Sequence, residues 1–358
     1  MSRYFSAKYA KLKPYVPGEQ PQGRKFIKLN TNESPFPPSP RAVAAAAEAA
    51  KGLNLYSDPE CRALNAKLAE VYGLAPNEFL CVNGSDEILN FAFMAFCDAT
   101  HPAVFPNISY GFYKVFADLN GIPCREIPLK SDFTIDANDY IGAGGMVVIA
   151  NPNAPTGVAL PLSDVERIVA GNPDSVVLID EAYIDFGGET ALPLIRKYKN
   201  LLVARTFSKS RMMAGARLGF GAACPELLAD LNAVKYSTNP YNINSMTMAA
   251  GIGALDDEAY TRECTAQVCA ARDWTTAALR RLGFELNDSS TNFVFAAHPH
   301  VGGKELYEKL RERGFLVRHF DTPLLKDYNR ISIGTQAQME QFIAAVSAIL
   351  EEAKCVAR

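Results

Sequence analysis

Histidine is scarce in this chain of 358 residues: four occur, at positions 101, 298, 300 and 319. The sole close pair, His298 and His300 in "HPH", has neither helical spacing nor cysteines nearby, so no metal site is expected. The eight cysteines (Cys61, Cys81, Cys97, Cys124, Cys224, Cys264, Cys269 and Cys355) are dispersed and contain no CxxC. They read as reduced, mostly buried small hydrophobes of a cytoplasmic protein, with no disulfides expected. The patterns GxGxxG and GxxxxGK[ST] are absent, and "GAGGM" and "GIGAL" do not fit their spacing, which removes most of the weight from dinucleotide and P-loop readings. No stretch approaches ~18 uninterrupted apolar residues, and "MSRYFSAKYAKLKPYVPG" lacks the apolar core of about 7 to 15 residues that a secretory signal needs. Neither a membrane span nor a leader is expected. A net charge of −3 and a pI near 5.9 give no reason to expect nucleic acid or an anionic membrane as partner, which leaves small molecules.

With 48% apolar and 21% charged residues the chain can bury a large core, and its length suggests two domains or one domain with a substantial lobe. The first residues are rich in Pro, Asn and Gly and read as an arm wrapped over a body or a neighbouring subunit. Regular structure starts at "SPRAVAAAAEAAKG", a helix with Ser39 as N-cap, Pro40 at its first position and Gly52 as its stop. "FLCV" reads as a strand that runs into "NGSDEILNFAFMAFC", where Gly84 permits a tight turn, Ser85 can cap, and a helix follows. "MVVIANPN", "SVVLIDEAYIDF" and "NLLVA" are apolar runs with short helical stretches between them, as in parallel βαβ units. From about residue 245 long helices and short strands take over. The organisation predicted is an α/β fold: a mainly parallel, doubly wound sheet in a large cofactor domain over 31–245, and a smaller α+β domain over 246–358 joined by the arm of 1–30.

Polar residues collect at the carboxyl ends of the predicted strands, where ligands bind in open α/β sheets. Lys209, between two serines in "RTFSKSRMMAGAR", lies just past one such end. A desolvated lysine amine near other cations can lose its proton and condense with an aldehyde. Asp180, closing "VVLID", is placed to keep a pyridine nitrogen protonated, and Tyr183 to hydrogen-bond a ring oxygen. The start of the helix after "NGS" offers backbone N–H groups of Ser85 and Asp86 to a phosphate, joined by the Ser208 hydroxyl and the Arg217 guanidinium. Thr206 stands beside them, and Tyr110 is either a stacking partner for a ring or a core tyrosine. This inventory suits pyridoxal 5′-phosphate.

"LKPYVPGE", "KLNTNESPFPPSP", "YSDPEC", "NGSDEIL", "NPNAPTG", "DEAYIDF", "RTFSKSRMMAGARLGF", "TNFVF", "FLVRHF" and "RISIGT" together resemble, in order and over roughly residues 12 to 335, the fold-type I, class I/II pyridoxal-phosphate-dependent aminotransferases. The resemblance implies reversible amino transfer, with histidinol phosphate and 2-oxoglutarate as the pair and aromatic amino acids as the nearest alternative. A decarboxylase of a phosphorylated amino acid is a further alternative, and a cofactor-binding protein without catalysis a third. It also implies a homodimer in which Tyr56 of one subunit reaches the cofactor phosphate of the other. Arg330 is implied to grip the substrate's phosphate, with Arg318 and Tyr15 helping to enclose it.

Three positions depart from the family pattern: Ser34 where asparagine is frequent, Ser57 where proline is usual, and Ala154 in "NAPTG" where an asparagine normally bonds the cofactor's ring oxygen. Either Asn153 or Asn151 moves in, or Tyr183 acts alone with water; Asn153 is carried forward as the expected contact.

Overall fold

The computed structural model describes residues 2–10, 12–21, 23 and 25–356, with side chains as far as residue 353, so the Cys355 thiol lies outside the described residues. A short strand β1 (Ile27–Lys28) precedes a seven-stranded sheet made of β2 (Phe79–Val82), β3 (Ala103–Pro106), β4 (Cys124–Ile127), β5 (Met146–Ala150), β6 (Val177–Asp180), β7 (Leu201–Thr206) and β8 (Gly219–Ala223). Its order is β2-β8-β7-β6-β5-β3-β4, and β8 runs antiparallel to both neighbours while the other pairs are parallel. Val147, Val148, Ile149 and Val177 to Ile179 are completely buried, as continuous apolar strands covered on both faces must be.

Helices α1 (Pro40–Ala49), α2 (Arg62–Tyr72), α3 (Ser85–Phe96), α4 (Phe112–Asn120), α5 (Leu162–Ala170), α6 (Pro225–Thr238) and α7 (Ser245–Leu255) supply that cover. Leu64, Leu68, Val165, Ile168 and Ala254 pack on one face, and Ile88, Phe93, Tyr113, Phe116 and Leu231 on the other. The start of α1 follows the sequence signals: Ser39 Oγ accepts from the Ala42 N–H at 3.1 Å, and Pro40 opens the helix; its end is corrected, since the α-helix stops at Ala49 and a 3-10 turn, Ala50–Gly52, carries the chain to the expected glycine. At α3 the expected cap is corrected. Gly84, at φ 75°, is the N-cap and Ser85 is the first helical residue, so no side chain closes this helix start.

The last hundred residues form a second layer. Helix α8 (Glu258–Arg281), strands β9 (Glu285–Leu286) and β10 (Phe293–Ala297), α9 (Gly303–Glu312), β11 (Phe315–Leu316), β12 (Arg318–His319), β13 (Tyr328–Ser332) and α10 (Gln336–Val356) follow in order. β12-β13-β10-β9 is an antiparallel sheet, and β1 pairs in parallel with β11, which ties the early segment to this layer. Its core, with Leu29, Val268, Leu306, Ile331 and Phe342, is separate from those of the large sheet.

Candidate active site

The strand order reverses between β3 and β5, and a crevice opens at such a point outside the carboxyl ends of the strands. A cavity of about 350 Å³ lies there, lined by Ala150 of β5, Asp180 of β6 and Thr206 of β7. Tyr110, from the loop after β3, and Ser85, Asp86, Tyr183, Ser208, Lys209 and Arg217 complete its polar wall. These residues span some 130 positions of the chain, and the strand register gathers them.

Two turns carry the most reactive groups, and a buried ionic cluster locks them together. Arg205, 5% exposed, binds Asp185 and stands 3.8 Å from Glu181. The Ser210 hydroxyl donates to the other Asp185 oxygen, so the turn bearing Tyr183 and the turn bearing Lys209 share one carboxylate. Glu181 accepts from Thr190 and from the Ala191 N–H, both at 2.6 Å, which leaves its buried charge fully partnered. Lys209 Nζ donates to the Thr31 carbonyl at 3.3 Å and lies 5.8 Å from the centre of the Tyr183 ring.

Asp180 sits at the floor, 4% exposed. The Tyr113 hydroxyl donates to its Oδ2 at 2.8 Å and the Ala182 N–H to Oδ1 at 3.2 Å. Burial nevertheless pushes the carboxyl up to about 6, against the pull of these two donors. Burial and the neighbouring carboxylate push the Tyr113 hydroxyl well up in turn, so it remains a donor.

The opposite end of the cavity is an anion cup. The uncapped start of α3 points its free N–H groups inward. Arg217 donates to Ser208 Oγ at 3.5 Å and to Asp86 Oδ2 at 3.2 Å, and Tyr110 donates to Asp86 Oδ1 at 2.9 Å. A Cβ at Gly84 would meet Arg217 Nη2 at 2.5 Å, and one at Gly219 would meet the Ser85 nitrogen at 2.6 Å. Glycine at both places is what lets the backbone and the guanidinium approach so closely.

A second cavity, about 320 Å³, adjoins the first through Tyr110 and Ala154 and is lined by Tyr15, Phe320, Arg318 and Arg330. The β12–β13 register sets Arg318 directly across from Arg330. Two like charges in that position repel unless an anion lies between them. Arg330 Nη2 donates to the Asn30 carbonyl at 2.9 Å, while its covered Nε has no partner, and burial pulls its pKa below the ordinary arginine value. Arg318 donates to the carbonyls of Val16 at 3.0 Å and Pro17 at 3.3 Å, holding the segment that carries Tyr15. Tyr15 packs on Phe112 with ring centres 4.5 Å apart.

One expected contact lies elsewhere. Asn153 is corrected: its Nδ2 donates to the Ile108 carbonyl at 3.0 Å and Thr156 Oγ1 at 2.9 Å, and its Oδ1 accepts from Ser109 at 3.0 Å. These bonds spend the whole amide on shaping the "NPNAPTG" turn, away from the first cavity. Asn151 is likewise spent, on both backbone groups of Leu160. The Ala154 methyl faces the cavity in place of an amide. Tyr56, 84% exposed and stacked on Tyr241 at 4.5 Å, is outside the cavity of its own chain. Tyr113 and Asn32 were not foreseen. The three-residue spacing of Tyr110, in the loop, and Tyr113, in the first turn of α4, was the one signal for the former; Asn32 lies within "KLNTNESPFPPSP", where nothing local marked its side chain for this cavity. Among the described residues no cluster of His, Cys, Asp or Glu could hold a metal ion.

Residues 24–346 match the model of the family described as aminotransferase class I and II. The chain belongs to that family. This aminotransferase is 48% identical to histidinol-phosphate aminotransferase of Aromatoleum aromaticum over 98% of its own length and 100% of the relative's. It is 44% identical to the enzyme of the same name from Clostridium acetobutylicum, over 96% and 98%. The solved histidinol-phosphate aminotransferase of Sinorhizobium meliloti, in complex with pyridoxal 5′-phosphate, superposes with a TM-score of 0.88 at 24% identity, covering 98% of this chain and 99% of that one. The aminotransferase thus has the fold-type I architecture expected from its alternating strands and helices.

Proposed function

We propose that this aminotransferase moves an amino group reversibly between L-histidinol phosphate and 2-oxoglutarate, with pyridoxal 5′-phosphate as cofactor. Arg330 carries the reading: its guanidinium lies beside a second arginine on the neighbouring strand, in the wall of a cavity that adjoins Lys209's own, and two such cations call for a dianionic substrate tail. The relatives named for that reaction support it.

The first cavity fits the cofactor. Lys209 would hold its aldehyde, Asp180 its ring nitrogen and Tyr183 its ring oxygen. The uncapped α3 start at Ser85 and Asp86, with Ser208 and Arg217, would hold its phosphate, while Tyr110 and Thr206 wall it in. When bound, pyridoxal phosphate supplies an electron sink for the substrate carbon that loses its proton. With its amine free, Lys209 would take up that proton as general base and deliver it as general acid to the cofactor's former aldehyde carbon. Asp180 keeps the ring nitrogen protonated, and a cation beside it draws the carboxyl back down from about 6. Arg318, Arg330 and Tyr15 seat the substrate so that its reacting carbon lies toward Lys209.

Exposed Leu53, Leu55, Tyr56 and Tyr241 form an apolar patch that fits a homodimer, with Tyr56 reaching the partner's phosphate cup. We keep about residue 31 as the start of the cofactor-holding domain and extend it through α7, since Ala250, Ala254 and Leu255 pack in the large-sheet core. The smaller domain then begins near α8. Among the described residues no helix is long and apolar enough to cross a membrane, and a cytoplasmic setting accords with the seven free thiols. The deciding experiment is half-reaction kinetics of the pyridoxal form with histidinol phosphate, phenylalanine, tyrosine and glutamate, with product identification. A preference for phenylalanine would move the chain to the aromatic aminotransferases, and loss of carbon dioxide to the decarboxylases.

A further inference from the structure

Asn32 is 1% exposed and holds a left-handed backbone, φ 56°, a conformation that asparagine tolerates better than most residues. Its bonds run in one direction, from Ser332 through the amide to Tyr183. The Ser332 hydroxyl accepts from the Asn32 backbone N–H at 2.9 Å, which leaves its own proton to donate to Asn32 Oδ1 at 2.8 Å. The amide is thereby oriented with Nδ2 toward Tyr183, whose oxygen accepts at 2.9 Å. The Tyr183 oxygen is then occupied by an incoming donor, and no acceptor among the described residues takes the Tyr183 proton. Tyr183 lines the first cavity, where Ala154 supplies a methyl and Asn153 and Asn151 are spent elsewhere.

We propose that Asn32 is a positioning residue that acts through Tyr183: by filling the phenol oxygen from behind, it commits the O–H proton to the cavity as a preset donor to the cofactor's ring oxygen. It takes over, at one remove, the task of the amide missing at position 154. Because Ser332 lies on β13 and the Asn292 amide donates to the Asn32 carbonyl at 3.0 Å, the smaller sheet sets the direction of a donor in the cofactor cavity. The charged and titratable groups around Tyr183 are Lys209, Arg330, Tyr110 and Tyr113, with Glu33, Asp86, Asp180 and Arg217 in the wall of the same cavity. The proposal rests on the pyridoxal phosphate reading.

The test uses holoenzyme without substrate and reads the pH midpoint of the visible band of the lysine-bound cofactor. The ring oxygen carries more negative charge in the deprotonated form, so a donor to it lowers that midpoint and loss of the donor raises it. Asn32→Asp keeps size and backbone preference but replaces the donor by an acceptor, favoured in ionised form by Lys209 and Arg330, which draws the Tyr183 proton away from the cavity. An upward shift of about one to two pH units is expected, equal to that of Tyr183→Phe, with no further shift in the double variant. A midpoint that stays at the wild-type value in Asn32→Asp while Tyr183→Phe moves it, or a full second shift in the double variant, would overturn the proposal. Should Asn32→Asp not fold, Asn32→Gly retains the left-handed backbone and is expected to shift the midpoint the same way by less; no shift there counts against the proposal equally. A wild-type protein that takes up the cofactor without any visible band would remove the pyridoxal phosphate reading itself, and this proposal with it.

Discussion

The Tyr113 hydroxyl and Asp180 Oδ2, 2.8 Å apart and both buried, join a helix on one face of the large sheet to the floor of the cofactor cavity. An unpaired carboxylate at that depth would be costly, and Tyr113 removes part of the cost while holding one oxygen in place. Tyr113→Phe is expected to lower stability by about 1 kcal/mol and to raise the Asp180 carboxyl further, since the lost bond was one of those holding it down. Cofactor dissociation should quicken in proportion. Unfolding midpoints with and without cofactor check this; equal losses in the two states would mean that Tyr113 serves packing alone.

The raised Asp180 carboxyl makes the stability of the cofactor-free protein depend on pH. Burial lifts it from 3.8 to about 6, so the folded state holds the proton more tightly than the unfolded chain. The stabilisation is fully present below 3.8 and is lost as pH rises through about 6, roughly 3 kcal/mol in all for about two pH units. Asp180→Asn should abolish that part of the slope, making the cofactor-free variant the more stable protein at neutral pH. The same variant should turn over slowly, because a neutral amide stabilises a pyridinium poorly. Urea unfolding across the window decides; identical slopes for variant and parent would refute the assignment.

Lys209→Ala is expected to abolish turnover and leave the fold intact, since the half-buried side chain makes one long bond, to the Thr31 carbonyl. Borohydride reduction of the wild-type holoenzyme followed by peptide mapping should place the pyridoxyl label on Lys209. A label on any other lysine sinks the site as drawn.

Gly84→Ala tests the anion cup without removing a charged group. At φ 75° and ψ 157°, a region essentially reserved for glycine, alanine is strained by about 1–3 kcal/mol, and its Cβ would displace Arg217 Nη2. Affinity for pyridoxal phosphate should fall at least tenfold while affinity for unphosphorylated pyridoxal changes little. Parallel losses for both compounds would place the damage outside the phosphate cup.

Arg330→Lys should cost more in kcat/KM for histidinol phosphate than for phenylalanine, because an ammonium cannot reproduce the planar fork that a phosphate dianion engages. The comparison of the two losses is the measurement. Equal losses would argue that Arg330 supports the cavity wall rather than recognising phosphate.

The family, the strand and helix pattern and most of the cofactor inventory were legible in the sequence, because each rests on short-range regularity. Apolar runs that turn polar at their carboxyl ends mark parallel strands, and the residues at those ends, Asp180 and the Thr206–Lys209 turn, need no other element to be singled out. Tertiary structure alone decided which amides were free to act. Asn153 and Asn32 are the same residue type, and each lies within a family-like stretch, "NPNAPTG" and "KLNTNESPFPPSP". The turn around residues 151–157 consumes the first, while a serine 300 positions away orients the second toward Tyr183. Likewise nothing local links Tyr113 to Asp180, 67 positions on, or sets Arg318 against Arg330; helix packing and strand register do. A hydrogen-bonding side chain has a fixed capacity, and which partners fill it depends on contacts between distant segments that sequence spacing does not encode.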